Sequence, residues 1–384
     1  MTNHISYTNI LNMTEQSEQS RPQETQLSPE QIFQAGSEFL QHFGVEADPF
    51  EQPQEFQAAL EQLNPRFQGG RDLVRFELEA DQTEWDEPTK DVIMRAAEGM
   101  RMLETETPLT DRFDVVIALG GARQSNLDRT RYAVKAIREK TATVDNLIVA
   151  GSSRVLSEAE QDNVENYAYG AEREYQLCSA AAATVRGENP DLTIGVFGSE
   201  GVGEKAGTPA IIEEVLTMFR DKGKLPYGAR VGAVTTQIYQ ASTELDLARV
   251  AKQFGITETF TAGNPSDPNI VEARTPATYL SEVLRTLRAA ANSVEAEKNG
   301  IEEKYVRSNV QQLLSEKHNL SQRQSEIDRE LDEIDRLNPQ LSQQREEEDG
   351  SLIVTLASGR EWTAVDATGT HYSSPKDTIG SVPE

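Results

Sequence analysis

The sequence predicts an α/β protein built on a three-layer α/β/α, Rossmann-like parallel sheet, and three observations support this prediction. Residues 114–119 are apolar on both faces, as expected of a central parallel strand that helices cover on both sides. This run breaks directly into Gly120 and Gly121, which allow a sharp turn at the strand's carboxyl end. Further apolar runs alternate with helical patterns, which is typical of right-handed β-α-β crossovers.

The alternating section covers residues 109–297, and its elements follow from hydrophobic periodicity. Strands are predicted at 114–119, 146–150, 192–197 and 230–235, with a weaker one at 258–262. Helices are predicted near 127–139, 164–186, 208–220, 241–254 and 276–294.

A helical section is predicted before the sheet, over residues 28–108. It begins at Ser28, where a capping residue, a first-turn proline and an early acid come together. Further helical patterns cover 55–63 and 88–104. Residues 1–27 are polar and hold too few apolar groups to offset the entropy of ordering, so a disordered tail is expected there.

After the sheet, residues 298–348 are rich in charged and polar side chains and predict a long helix, a possible coiled coil. Apolar residues recur there at intervals of seven: Val306, Leu313, Leu320, Ile327, Ile334 and Leu341. The companion stripe is half filled, because Lys317 and Gln324 interrupt it. Such a helix either docks along its own chain or pairs with a second copy to form a homo-oligomer.

The end of that helix and the remaining residues follow from local signals. Asn338 and Pro339 should end the helix. Residues 349–384 predict a small β-like pair, at 352–356 and 362–365, followed by a disordered end.

Charge and cysteine content restrict the function classes. With 64 acidic against 37 basic residues the formal net charge is −27, which disfavours binding to nucleic acid or to an anionic membrane surface. The single cysteine excludes an intrachain disulfide. The N-terminus does not resemble a secretory signal, and apolar runs fall short of the roughly 18 residues of a membrane span. We therefore expect a cytoplasmic protein.

Histidine usage removes several kinds of catalytic site. The four histidines all lie outside the predicted sheet section: His4, His42, His318 and His371. A Ser-His-Asp or Cys-His arrangement inside that section is therefore excluded, and a histidine-rich metal site is not expected. Cys178 lies on a small-residue helix face and is predicted to fill the core.

The first candidate site is the turn after the first strand. Gly120 and Gly121 precede Arg123 and Arg129, so backbone amides and the start of the next helix could hold an anion with arginines as charge partners. Ligands in open α/β sheets bind beyond the carboxyl ends of strands, which is where this turn lies. The alternative is a tight turn with solvated arginines.

Two later strand ends offer further candidates. Gly151 and Ser152 would allow close approach of a ligand, although Gly-Ser turns are common. Thr235 and Thr236 offer hydroxyls for a sugar or phosphate, with a capped helix start as the alternative.

A glycine-rich loop at 198–209 superficially fits a dinucleotide-binding fingerprint. However, the next strand ends in Thr235 and Thr236 rather than in the acid that would bind a ribose. Lys205 lacks the neighbours of a Walker loop. A loop over the site, with Thr208 and Pro209 starting a helix, is preferred, and the sequence leaves the identity of any cofactor unknown.

The order of these motifs resembles the YdcF/SanA/ElyC-like family, bacterial α/β proteins of poorly defined function, over residues 110–290. The matching segments are Leu119-Gly120-Gly121, Arg129 with Ala133, Val149-Ala150-Gly151-Ser152, Glu172 or Glu174 before Ala180, Gly207-Thr208-Pro209-Ala210 and Val234-Thr235-Thr236. The chain departs from the family pattern at Tyr239, where the family has histidine, and at Ser242, where it has arginine.

This resemblance implies a small anionic or nucleotide-like ligand and a link to envelope polysaccharide biology. One family member is associated with S-adenosylmethionine binding, and many members carry a membrane anchor. If the chain is an enzyme, we expect transferase or phosphoester chemistry that uses arginine electrostatics. The available bases would then be Asp128, Glu172 or Glu174. The alternative is an inactive interaction protein that uses its C-terminal helix for partner binding or self-association.

Overall fold

The computed structural model describes residues 27–63 and most of 85–300, with gaps at 122–123, 157–159, 162–163, 199–206, 227, 257 and 266–275. It also describes isolated helical residues between 305 and 325 and three strands after residue 340. The chain divides into two compact units, Met1–Val306 and Arg307–Glu384.

The first unit contains a five-stranded sheet whose strands are all parallel. The strands are β1 (Asp111–Leu119), β2 (Ala142–Ala150), β3 (Ile194–Phe197), β4 (Arg230–Thr236) and β5 (Glu258–Asn264). Their spatial order is β3-β2-β1-β4-β5, and every neighbouring pair is parallel. The predicted α/β class with a parallel sheet is confirmed.

Helices precede, connect and follow these strands. They are α1 (Pro29–Ala35), α2 (Ser37–His42), α3 (Pro53–Leu63), α4 (Glu87–Gly99), α5 (Ser125–Arg138), α6 (Glu165–Ala168), α7 (Glu174–Glu188), α8 (Thr208–Asp221), α9 (Gln240–Gln253) and α10 (Pro276–Asn299). Apolar residues of α8 and α9 pack against one face of the sheet. Those of α5 and α7 pack against the other face. The sheet is therefore the middle of three layers, as predicted.

Several boundaries differ from the prediction for local reasons. β1 and β2 begin earlier than expected, because their first residues, Asp111 and Ala142, already pair with each other in register. The helix predicted at 164–186 is divided, since Gly170 takes a left-handed φ of 74° after α6 and the chain runs on before α7 starts. The helix predicted at 88–104 ends at Gly99, close to Arg101 with a φ of 60°.

The predicted helical section packs as part of the first unit. Buried side chains of α1 to α4 share one apolar cluster with α9 and α10. Ser28 and Gln31 form the capping box that starts α1, which confirms the predicted helix start. The 24-residue helix α10 thus joins the N-terminal helices to the layer that covers the sheet.

The second unit contains a three-stranded antiparallel sheet of β6 (Leu341–Glu346), β7 (Leu352–Leu356) and β8 (Glu361–Ala364). β7 and β8 correspond to the predicted β-like pair, whereas β6 was not predicted. Leu341 therefore starts a strand instead of continuing the seven-residue stripe. The other stripe members, Asn338-Pro339, and the predicted disordered ends at 1–26 and beyond 365 lie outside the described residues.

Hydropathy of the described helices gives one further result. Over the part of the chain that the structure describes, each helix is too short or too polar to cross a lipid bilayer.

Candidate functional site

The strand order creates a crevice between the carboxyl ends of β1 and β4. From β1 the chain continues to β2 and β3 on one side, and it later returns to β4 and β5 on the other. Such a reversal of strand order is the place where open α/β sheets bind ligands. Gly120 and Gly121 follow β1, and Thr236 ends β4, so sequence candidates from separate loops meet here.

Arg129 joins the two sides of this crevice. Its Nη1 donates to the carbonyl oxygens of Leu119 (2.8 Å) and Gly120 (2.5 Å), and its Nε and Nη2 donate to Thr236 Oγ1 at 3.2 and 3.1 Å. The residue is 3% exposed. Arg129 was predicted to line the ligand site; in the structure its guanidinium donates to backbone carbonyls and to Thr236 of the protein itself. Arg123 lies outside the described residues.

The two residues that depart from the family pattern support this arrangement. The ring of Tyr239 lies 5.8 Å from the guanidinium carbon of Arg129, within cation–π range. Ser242 is buried and donates a hydrogen bond to the carbonyl oxygen of Tyr239 at 3.1 Å. Tyr239 therefore packs on the arginine, and Ser242 stabilises the turn that leads into α9.

The glycine turn is held by internal hydrogen bonds. The amide of Gly120 donates to Ala150 O at 2.5 Å, and that of Gly121 donates to Asn126 Oδ1 at 3.1 Å. Asn126 is fully buried and returns a bond from Nδ2 to Gly121 O. Both glycine amides were expected to bind an anion, but in the structure they donate hydrogen bonds to other atoms of the protein. The side chain of Gln124 forms no capping hydrogen bond at the start of α5.

A carboxylate lies on the β2 side of the same turn. Glu174 begins α7, is 7% exposed, and accepts a hydrogen bond from Ser152 at 2.5 Å. A Cβ on Gly120 would lie 2.5 Å from Glu174 Oε1, so only glycine lets the carboxylate come this close. Of the three possible bases, Glu172 is exposed and Asp128 is half-buried on α5. The structure places only Glu174 against the glycine turn.

An ion pair supports the loop after β2. Arg154 contacts both oxygens of Glu160 at 2.9 Å, and its Nε lies 3.6 Å from Glu174 Oε2. Burial alone would lower the pKa of Arg154, but the hydrogen bond and charge of Glu160 outweigh burial and raise it. The loop that carries Ser152 is therefore fixed by a permanently charged side chain.

Cys178 lies next to Gly151 in the core, where its thiol is unreactive. It is fully buried, donates from Sγ to Asn126 Oδ1 at 3.3 Å, and would touch a Cβ placed on Gly151 at 2.6 Å. Burial raises the pKa of this thiol well above its usual value. The predicted core-filling role is confirmed, and Gly151 is small because the thiol occupies the space beside it.

Asn264 belongs to the site although the sequence did not identify it. It ends β5 in register with Thr236, so both side chains lie on the same face of the sheet, whereas Thr235 lies on the opposite face. Asn264 is 5% exposed, its Nδ2 donates to Pro265 O, and among the described residues nothing donates to its Oδ1. The polar end of β5 was its only signal, and the predicted strand stopped short of it.

Metal ligation finds no support in the part of the chain that is described. There, His, Cys, Asp and Glu side chains do not assemble into a group of three that could hold a metal ion.

Comparison with known proteins gives few relatives. Uncharacterised proteins of Mycobacterium bovis and of two Mycobacterium tuberculosis strains are 35% identical to this chain over 93 residues. The match covers 24% of this chain and 26% of each relative, so it spans about a quarter of their length. No protein-family model and no solved structure matches the chain. Over this limited segment the chain therefore resembles bacterial proteins that are themselves uncharacterised.

Proposed function

We propose that this chain binds a small anionic, nucleotide-like ligand in the crevice between the carboxyl ends of β1 and β4. The observation that supports this proposal is Arg129, which links Gly120 and Thr236 directly beside the first turn of α5. The resemblance to the YdcF/SanA/ElyC-like family, which is based in part on these same residues, implies a ligand of the same class.

The guanidinium contributes more to anion binding than the helix does. A helix N-terminus stabilises an anion by about 0.3–1 kcal/mol. A single charge about 5 Å away contributes roughly 3 kcal/mol at an effective dielectric constant of about 20. Since the chain as a whole carries a net charge of −27, this positive site favours a compact anion over a long polyanion.

The same geometry suits transferase or phosphoester chemistry better than nucleophilic catalysis. Arg129 can stabilise negative charge that develops on a phosphoryl group. Glu174 is the base that lies nearest the turn. The neutral, buried thiol of Cys178 offers no nucleophile. A role in envelope metabolism rests on the family resemblance alone.

Thermal-shift measurements on the full chain test the binding proposal. The probes are inorganic phosphate, AMP, UDP, ribose phosphate and glucose phosphate, and we expect at least one to raise the melting temperature. Arg129→Gln should abolish that shift. Arg131→Gln, an exposed arginine on the same helix, should retain it.

Two results would overturn the binding proposal. One is a wild-type chain whose melting temperature none of the probes changes. The other is an Arg129→Gln chain that keeps the full shift. If Arg129→Gln does not fold, Thr236→Val provides the second variant, since it removes the hydroxyl at the crevice while keeping the side-chain shape.

A further inference from the structure

The carboxylate on the β2 side of the turn indicates which chemical groups accompany the anion. We infer that Glu174 and Ser152 form a hydroxyl-binding subsite, which receives the sugar of a phosphorylated sugar or nucleotide. This inference rests on the proposed function and adds the class of ligand to it.

Two glycines beside Glu174 leave the space that such a subsite requires. Glu174 Oε1 lies 2.5 Å from the position that a Cβ on Gly120 would take, and Glu174 Cγ lies 3.4 Å from the position of a Cβ on Gly151. The residues that follow β1 and β2 therefore carry no side chain next to the carboxylate of Glu174. A ligand that approaches Gly120 meets this carboxylate.

The carboxylate is held in one orientation before any ligand binds. Ser152 donates to Oε2 at 2.5 Å, and Arg154 Nε lies 3.6 Å from the same oxygen. The side chain of Glu174 is 9% exposed. The guanidinium of Arg154 already donates two hydrogen bonds to the carboxylate of Glu160. Its positive charge is therefore divided between two carboxylates and does not fully neutralise Glu174. Oε1 thus remains an acceptor directed at the glycine turn.

The chemistry of that acceptor selects hydroxyl groups. An ionised carboxylate accepts hydrogen bonds only, so it repels a phosphate and attracts hydroxyl donors. In Rossmann-type sheets an acid about 20 residues after the first glycine turn, at the end of the second strand, binds a ribose hydroxyl. Here the acid comes from the start of α7 instead of from the end of β2. Arg129 on the β4 side and Glu174 on the β2 side therefore favour opposite ends of one ligand.

Paired titrations of the full chain with AMP and with the dideoxy analogue of AMP, which lacks the ribose hydroxyls, test this inference. Since a hydrogen bond to a charged group changes affinity by about tenfold or more, wild type should prefer AMP by at least that factor. Glu174→Gln should lose the preference while still binding the analogue. Glu172→Gln, an exposed acid two residues away, should keep it.

The outcomes separate the two proposals. If neither compound binds wild type while another of the phosphate probes does, the subsite fails and the proposed function stands; if none of the probes binds, both fail. If both bind wild type equally, or Glu174→Gln keeps the preference, only the subsite is wrong. A purely structural Glu174 would change the melting temperature of the unliganded variant and leave the ratio of the two affinities unchanged.

Discussion

At the scale of single residues, buried polar groups at the carboxyl edge of the sheet are satisfied mainly by one another. Arg129 bonds to Gly120 O and Thr236, Asn126 bonds to Gly121 in both directions, and Ser152 bonds to Glu174. Leaving any one partner unpaired in such a network costs about 1–3 kcal/mol. The turn is therefore rigid before a ligand arrives, which favours binding because little ordering remains to be done.

Gly120 is the residue whose replacement tests this packing. Gly120→Ala would place its Cβ 2.9 Å from Ala150 O and Gly151 Cα, which are backbone atoms that cannot move aside cheaply. We expect a loss of about 1–3 kcal/mol in the free energy of unfolding, measured by urea denaturation. The matched control is Gly187→Ala, at an exposed helical position with open space, which should gain about 0.5–1 kcal/mol. Equal effects of the two substitutions would contradict the account of the turn.

Site residues could be predicted from the sequence where they stand beside a strand end. Gly120, Ser152 and Thr236 follow apolar runs, so their convergence follows from a parallel sheet. Asn126 and Asn264 could not be identified in this way. The role of Asn264 depends on its register with Thr236 across the sheet, and the role of Asn126 depends on the folded turn that brings its side chain to Gly121.

At the scale of elements, α10 links the N-terminal helices to the sheet layers. Leu287 on this helix is fully buried in the shared apolar cluster and approaches Gly36 between α1 and α2 so closely that a Cβ there would lie 2.8 Å from its methyl group. Leu287→Ala should lower the free energy of unfolding by about 2–5 kcal/mol, because a cavity remains after the side chain is removed.

An exposed leucine of the same N-terminal section serves as the control for Leu287. Leu103→Ala, at a position that is 41% exposed, should change stability by less than about 0.5 kcal/mol. If calorimetry found the two leucines equivalent, the helical section would not be packed on α10 as described.

Element positions were predicted better than element ends. The apolar cores of β1, β2, β4 and α8 have strong periodicity, and all four elements were placed correctly. The errors arose where one residue decided the outcome, as at Gly170, whose left-handed backbone ends a helix in the middle of an otherwise helical pattern. β6 was missed because its sequence is polar and its strand pairing is non-local.

At the scale of the whole molecule, the division after residue 306 predicts an independently folding first unit. Tyr305 belongs to that unit, since its ring packs at a tilt against Phe254 with ring centroids 5.0 Å apart. A chain ending at residue 306 should unfold cooperatively, with a melting temperature within about 4 °C of the full chain. A broad or strongly lowered transition in a scanning calorimeter would contradict this division.

The same pair of chains tests the alternative role of the C-terminal stripe. Strand order within the sheet could not be predicted from the sequence. The placement of the charged helix could not be predicted either, because a half-filled apolar stripe fits docking and self-association equally well. Light scattering on both chains distinguishes the two possibilities. A mass per particle that falls by half or more on truncation would support self-association through residues beyond 306, and an unchanged monomer would oppose it.

The most direct test of the central claim is a crystal structure of the full chain soaked with AMP. We expect the phosphate at the first turn of α5 beside Arg129, with a ribose hydroxyl within hydrogen-bond distance of Glu174. Binding of AMP at another place would contradict the proposed site, for example in the polar cavity of about 350 Å³ lined in part by Glu213, Arg249 and Asn292. A crevice that stays free of AMP at millimolar concentration would contradict it equally.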